Sequence, residues 1–132
     1  RKGDTNIGDQ NLTNPNNYSS ISYADVLLMA AEAHNRSGND TKAKDYLNRV
    51  RRRAFGDNNH DITATGTALT DFIWNERRVE LMGEGHRFFD LVRTGKAAEK
   101  ITGFTPNKNE LFPIPFEEIQ FSNGNWQQNP GY

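Results

Sequence analysis

Paired carboxylates are the first residues in this 132-residue sequence whose type and spacing could perform chemistry. Glu76 and Glu80 fall on one line of a helix, and glycoside hydrolysis uses two carboxyl groups. Those groups must face each other across a sugar at a separation of roughly 5–10 Å. Two glutamates on one helix line, followed by arginines, instead indicate structural ion pairs. We therefore predict no catalytic residue.

Metal and cofactor chemistry finds no support in the sequence either. There are no cysteines, which excludes disulfides and thiolate metal sites. His34, His60 and His86 show no metal-binding spacing such as HExxH. No serine lies in a GxSxG context, and the glycines at Gly83 and Gly85 indicate a helix end and not a phosphate loop. We expect no metal, no cofactor and no enzymatic activity.

The charge distribution argues against nucleic-acid binding. Residues 49–53, RVRRR, form the only basic run, and 16 basic side chains are balanced by 17 acidic ones for a net charge of −1. A chain without a basic excess lacks the electrostatic footprint of a nucleic-acid-binding protein. We interpret the run as the solvated, salt-bridged face of a helix and expect no nucleic-acid partner.

One aromatic residue in a polar loop suggests sugar binding, because a pyranose ring presents a C–H face that can stack on an aromatic ring. Tyr18 directly follows Asn16 and Asn17, whose side-chain amides can bond sugar hydroxyls. The surrounding residues are rich in Asn, Ser, Gly and Asp, so this loop has no evident core to fold into. Tyr18 is therefore the preferred candidate for ligand binding, with Asn16 and Asn17 beside it.

A second aromatic candidate lies near the C-terminus. Trp126 stands between Asn125 and Gln127 and could form the same kind of platform. The alternative, which we favour, is that Trp126 and Tyr132 pin the C-terminal segment to the helices. Four further aromatic residues are predicted to be core: Phe72, Trp74, Phe88 and Phe89.

Hydrophobic periodicity predicts an all-α fold that begins with a helix at about 22–37. Ser22 can cap this helix, and Gly38 can end it in a left-handed conformation. Its apolar residues occupy two faces, which predicts a helix packed between neighbours on both sides. One face comprises Val26, Met29, Ala30 and Ala33, and the other is marked by Leu27 and Ala31.

A second helix at about 40–54 should pair with the first as an antiparallel hairpin, because only a short glycine turn separates them. This is the pattern of one tetratricopeptide-type unit. Two further helices are predicted at about 69–82 and 86–93, with another short turn at 96–101. Proline and asparagine then dominate, which predicts an irregular C-terminal wrap that contains a short helix at about 116–119.

This organisation divides the chain into a polar loop or tail at residues 1–20 and one helical domain at residues 21–132. The longest apolar run, residues 26–31, is far shorter than the roughly 20 residues that cross a bilayer. The chain begins with Arg and not Met, which suggests a mature or truncated product.

Several motifs in a fixed order resemble the SusD/RagB family. They run from residue 23 to the C-terminus, and their order is more specific than any one of them. Ser22 stands where the family often has Arg, and Ala30 where an aromatic residue is common. The matching segments are 23–29 (YADVLLM) with 31–33 (AEA), 47–51 (LNRVR), 76–93 (ERRVELMGEGHRFFDLVR), 109–115 (NELFPIP), 118–119 (EI) and 128–132 (QNPGY).

The resemblance implies an all-α nutrient-binding lipoprotein at the surface of the outer membrane, of which this chain is the C-terminal part. Such a protein captures oligosaccharides or other nutrients for import through a SusC-like TonB-dependent outer-membrane transporter, and its lipid anchor would lie outside this chain. The alternative is a helical adaptor that binds only protein. A helical face that normally packs against further repeats would be exposed here, so we also expect dimerisation or poor solubility.

Overall fold

The computed structural model describes residues 20–132, and this part of the chain contains helices, turns and irregular segments but no strand. The all-α prediction is confirmed. The helices are α1 (Tyr23–Arg36), α2 (Asp40–Phe55), α3 (Gly66–Glu80), α4 (Arg87–Arg93), α5 (Ala97–Lys100) and α6 (Phe116–Phe121). The chain divides into two compact units, Arg1–Ile73 and Trp74–Tyr132, called unit 1 and unit 2 below; α3 continues from one into the other.

The ends of α1 follow the predicted signals. The Ser22 hydroxyl accepts a hydrogen bond from the Asp25 backbone N–H at 3.1 Å, which satisfies one free donor of the first turn. After α1 the chain reverses at Gly38, whose φ of 80° favours a residue without a side chain. The Asn39 side chain then accepts from the Lys42 N–H at 3.2 Å and caps α2.

The core of unit 1 lies where α1, α2 and the first half of α3 meet. Helices α1 and α2 pack against each other along the predicted hairpin; its assignment to the tetratricopeptide type remains a prediction. The predicted stripe of α2 supplies Ala43, Leu47 and Val50, all buried, although Ala54 at its end is exposed. The whole cluster comprises Leu27, Leu28, Ala31, Ala43, Leu47, Val50, Leu69 and Ile73.

One predicted face of α1 is only partly covered by described residues. Val26 is 44% exposed and Met29 is 46% exposed, and Ala33 is also exposed. The neighbouring face, with Leu28 fully buried, is the one that joins the core. The prediction of a helix covered on both faces is therefore wrong for the described residues, because α2 and α3 together cover only one side of α1.

A buried amide fastens the connection between α2 and α3. Asn48 accepts a hydrogen bond from the Ile62 N–H at 2.8 Å and donates one to the Ile62 carbonyl at 3.0 Å. Its side chain thus pairs with the N–H and the C=O of one residue, as a neighbouring strand would, and this holds the irregular 56–65 segment against the core. Periodicity alone does not predict this contact.

Unit 2 has little apolar interior. Its buried hydrophobic residues among those described are Leu81, Leu91 and Ala97. The prediction that the aromatic residues are core is wrong for Phe88 and Phe89, which are 38% and 70% exposed, and for Phe72 of unit 1, which is 44% exposed. Helix α4 is only seven residues long, and Leu91 is its one buried residue.

Candidate functional site

The C-terminal wrap is built by side chains that bind backbone groups. Pro113 and Pro115 favour extended backbone at Phe112 and Ile114, which leaves the N–H and C=O of Ile114 without helical partners. Gln128 accepts from the Ile114 N–H and donates to the Ile114 carbonyl, both at 2.8 Å. This amide pairs with one isoleucine backbone in the same way as Asn48 does in unit 1, and it fixes residue 128 against the extended segment.

The last residues extend this attachment. The Asn129 amide donates to the Phe112 carbonyl at 2.6 Å, and the Tyr132 hydroxyl donates to the Leu111 carbonyl at 2.9 Å. The Lys108 ammonium lies 4.8 Å from the centre of the Tyr132 ring. Tyr132 therefore pins the C-terminus as predicted, although its anchor is the extended segment and not a helix.

The backbone of Trp126 is fixed by a hydrogen-bonded turn. The Ser122 hydroxyl donates to the Ile119 carbonyl at 2.7 Å and accepts from the Trp126 N–H at 3.0 Å, which closes the turn that follows α6. Trp126 is 53% exposed, and its backbone bond to Ser122 is the contact that supports the predicted pinning role. An aromatic ring on a fixed backbone can stack on a ligand with little loss of conformational freedom.

Polar groups flank the exposed ring. Asn125 precedes Trp126 and Gln127 follows it, and both are exposed. Their amides carry a donor and an acceptor each, which suits the hydroxyl groups of a sugar. We call Asn125, Trp126 and Gln127 the Trp126 platform. The other predicted ligand contacts, Tyr18, Asn16 and Asn17, lie outside the described residues.

An ion-pair network joins α3 to α4 within unit 2. Nε of Arg77 donates to both carboxylate oxygens of Asp90 at 3.1 and 3.3 Å, and Nε of Arg93 donates to Asp90 at 2.7 Å. The predicted pair between Asp90 and Arg93 is confirmed. The predicted pair between Asp90 and Arg87 is wrong, because the buried Arg77 guanidinium takes that carboxylate instead.

The glutamates and histidines considered above differ in burial: Glu76 is buried, Glu80 and His34 are half-buried, and His60 is exposed. The burial of Glu76 differs from that of a carboxylate in an open cleft. The His34 ring stacks on Tyr46 at 5.5 Å, and the His60 ring stacks on Phe55 at 4.0 Å. Within residues 20–132 no cluster of potential metal ligands occurs.

The basic run on α2 makes the predicted salt-bridged face. Arg49 donates to the Tyr23 hydroxyl at 3.0 Å, Arg51 donates to the His60 carbonyl at 2.8 Å, and Arg52 pairs with Asp61. The hydrogen bond from Arg52 holds the pKa of Asp61 below its ordinary value.

A second carboxylate of unit 1 is held in the same way at the start of α2. The Gly66 backbone N–H, 2.6 Å away, and the Asn35 amide, 2.9 Å away, hold the pKa of Asp40 below its ordinary value. Such hydrogen bonds favour the charged form of a carboxyl group, and these bonds also tie α2 to the start of α3.

No helix within the described part of the chain is long and apolar enough to span a membrane.

Comparison with known proteins gives a consistent result. The sequence profile of the SusD family matches residues 2–110. SusD-like protein P38 of Formosa agariphila is 36% identical over 124 residues, which cover 83% of this chain and 24% of that protein. SusD-like protein P2 of the same organism is 33% identical over 141 aligned positions, with coverage of 95% and 28%, and SusD-like protein P25 is 37% identical over 110 residues, with coverage of 74% and 21%.

The chain thus spans about a quarter of the length of the curated relatives it matches. No solved structure matches it.

Proposed function

Because the chain belongs to the SusD family, we propose that it forms part of a protein that captures oligosaccharides at the cell surface. In this role the ligand is held by aromatic stacking and by hydrogen bonds to its hydroxyl groups, and no covalent bond is made or broken. The captured oligosaccharide would pass to a SusC-like TonB-dependent transporter in the outer membrane. The proposed location is therefore the outer face of that membrane.

The observation that carries this proposal on the chain itself is the Trp126 platform. Trp126 as a whole is about half exposed, and the hydrogen bond from its backbone N–H to the Ser122 hydroxyl fixes the backbone. Gln128, two residues further on, forms two hydrogen bonds with the Ile114 backbone. The chain is therefore fixed both at Trp126 and directly after the platform. Exposed aromatic rings with adaptable polar neighbours are typical of binding surfaces.

Residues 16–18 supply the second proposed contact. Tyr18 would add another stacking ring, and Asn16 and Asn17 would add hydrogen-bonding amides, as the sequence suggests. Several stacking and hydrogen-bonding contacts of this kind are needed to hold an oligosaccharide, since each contributes little alone.

A protein-binding adaptor is the second candidate function, and the exposed face of α1 favours it. Val26 and Met29 lie there with Tyr23, which is also exposed. A partly exposed apolar helix face of this kind is typical of a surface that binds another protein. Sugar binding and protein binding make opposite predictions for Trp126 and for this face.

Calorimetric titration with a panel of soluble plant, host and microbial oligosaccharides tests the proposal. The 132-residue chain and the full-length protein that carries it would be titrated in parallel. We expect at least one oligosaccharide to bind both, with Trp126→Ala weakening binding at least about tenfold, which is about 1.4 kcal/mol. Tyr23→Ala, an exposed aromatic on α1, serves as the matched control and should leave the affinity unchanged.

Two outcomes would contradict parts of this proposal. Binding by the full-length protein alone would move the sugar site off this chain and make the Trp126 platform structural. Binding by neither protein would favour the adaptor function, which Tyr23→Ala would then be expected to impair.

A further inference from the structure

Two arginines in unit 2 differ from every other arginine in residues 20–132. Arg36, Arg49, Arg51, Arg52, Arg53, Arg77 and Arg93 each interact with another residue. The side chains of Arg78 and Arg87 make no hydrogen bond or ion pair with any residue that the structure describes. The expected partner of Arg87, Asp90, is already occupied by Arg77 and Arg93.

Both unpaired arginines line the same groove. Two adjoining cavities of about 580 and 620 Å³ share three lining residues, Arg78, Arg87 and Phe88. We call the space between these residues the arginine groove. Each volume falls within the range of about 300–1,000 Å³ that small-molecule sites occupy in proteins.

The groove combines positive charge with an apolar floor. Leu81 lines one cavity, and Leu91 and Ile101 line the other. Among the described residues, Lys100 is the further cation of the second cavity and no carboxylate lines it. The Lys100 ammonium lies 2.6 Å from Glu99, which leaves the two arginines as the unneutralised charges.

Phe88 supplies a ring face at the centre of the groove. Its ring meets the edge of Phe89 at 5.8 Å and lies 6.5 Å from Phe104, so two aromatic neighbours hold it in place. Phe88 nevertheless remains 38% exposed. A ring with guanidinium groups beside it suits a ligand that has both an apolar face and an anionic substituent.

We propose that the arginine groove binds the carboxylate or sulfate group of an acidic oligosaccharide, with the sugar ring stacked on Phe88. This inference rests on the proposed function and narrows its substrate class. Guanidinium groups match the planar, multiply accepting geometry of both anions. The net charge of the chain is only −1, so the attraction is local to the groove and not a property of the whole surface.

Matched pairs of charged and neutral oligosaccharides test this inference by calorimetric titration of the 132-residue chain. One pair is tetragalacturonate and its fully methyl-esterified form; the other is a sulfated galactan oligosaccharide and its desulfated form. We expect the charged member of at least one pair to bind at least about tenfold more tightly, and the preference to weaken as NaCl is raised. The two pairs also show whether carboxylate or sulfate is preferred.

Substitutions in the arginine groove test whether it causes the preference for charged oligosaccharides. Arg78→Gln and Arg87→Gln should each reduce the affinity for the charged oligosaccharide, and the double variant should lower it to that of the neutral form. Lys42→Gln removes one positive charge from an exposed position in unit 1 and should change nothing. Because the side chains of Arg78 and Arg87 bond to no other described residue, their replacement should leave the thermal unfolding midpoint unchanged.

The outcomes separate this inference from the proposed function. Equal affinity for charged and neutral oligosaccharides, or a preference that survives the double variant, would overturn the inference and leave oligosaccharide capture standing. Equally tight binding of a short polyglutamate would also overturn it, since the groove would then be a general cation patch. Failure of every oligosaccharide, charged or neutral, to bind would count against the proposed function itself.

Discussion

In unit 1 the buried residues form one continuous apolar cluster drawn from α1, α2 and α3, whereas unit 2 buries three hydrophobic residues among those described. Unit 2 relies on an ion-pair network around Asp90 and on amide side chains that bind backbone groups of the C-terminal wrap. Apolar burial is non-directional, while hydrogen bonds fix particular groups in particular places. We therefore expect unit 1 to resist unfolding more strongly than unit 2. Unit 2 presents exposed aromatic and cationic side chains on a hydrogen-bonded backbone.

Removal of a core side chain from unit 1 should have the largest effect on stability. Leu28 is fully buried at the centre of the cluster, so Leu28→Ala should lower the free energy of unfolding by about 2–5 kcal/mol. Val79→Ala, at an exposed position in unit 2, is the control and should change it by less than about 0.5 kcal/mol. Urea unfolding followed by circular dichroism measures both free energies. Similar losses in the two variants would contradict the claim that the apolar core of unit 1 dominates stability.

Loss of the central carboxylate of unit 2 should come next. Asp90→Asn removes the charge of the carboxylate that pairs with the buried Arg77 guanidinium and should cost about 1–3 kcal/mol in the free energy of unfolding. The matched change in unit 1 is Asp61→Asn, whose partner Arg52 is half exposed, and its cost should be clearly smaller. A larger loss from Asp61→Asn would mean that ion pairing does not distinguish the units.

Two side-chain amides, Asn48 in unit 1 and Gln128 in unit 2, allow a test of how burial changes the contribution of a hydrogen bond to stability. Asn48 binds Ile62, and Gln128 binds Ile114, through the same pair of hydrogen bonds. Asn48→Ala should cost about 1–3 kcal/mol because it leaves backbone groups unpaired in a buried setting, and Gln128→Ala should cost about 0.5–1.5 kcal/mol. Gln128→Ala should also weaken the order of the Trp126 platform, which amide hydrogen exchange at residues 122–129 would detect.

Acid should weaken unit 1 through its hydrogen-bonded carboxylates. The pKa values of Asp40 and Asp61 are lowered in the folded chain, so the contribution of these groups is present above the ordinary aspartate pKa and is lost as pH falls through the lowered values. Urea midpoints measured between about pH 7 and pH 2 should therefore decline mainly below about pH 4. Asp40→Asn should make that decline shallower, and an unchanged slope would contradict this assignment.

The sequence predicts the helices of this chain better than it predicts their surfaces. Capping residues and left-handed glycines act locally, so Ser22 and Gly38 correctly marked the ends of α1. Which face of α1 is buried depends on the direction from which α2 and α3 approach, and the apolar face with Val26 and Met29 was therefore misassigned. Local spacing also favoured Arg87 as a partner of Asp90, while the buried Arg77 on another helix takes that place.

The candidate site was partly predictable for a similar reason. The polar setting of Trp126 marked it as a possible platform, but its exposure depends on the turn that Ser122 closes. Asn48 and Gln128 carry no periodic signal, because a side-chain amide can bind any peptide unit that the fold brings near it. The two unpaired arginines became distinct only once the partners of the other arginines were known.

The central claim is that, among the described residues, the sugar contact lies in unit 2 at the Trp126 platform. The most direct test is a titration of the isotope-labelled chain with a bound oligosaccharide, followed by the backbone amide and indole signals in two-dimensional NMR spectra. We predict that the largest shifts occur within unit 2 and include the Trp126 indole N–H, with the core residues of α1 and α2 little changed. Shifts confined to residues 23–73, with unit 2 unaffected, would contradict this account.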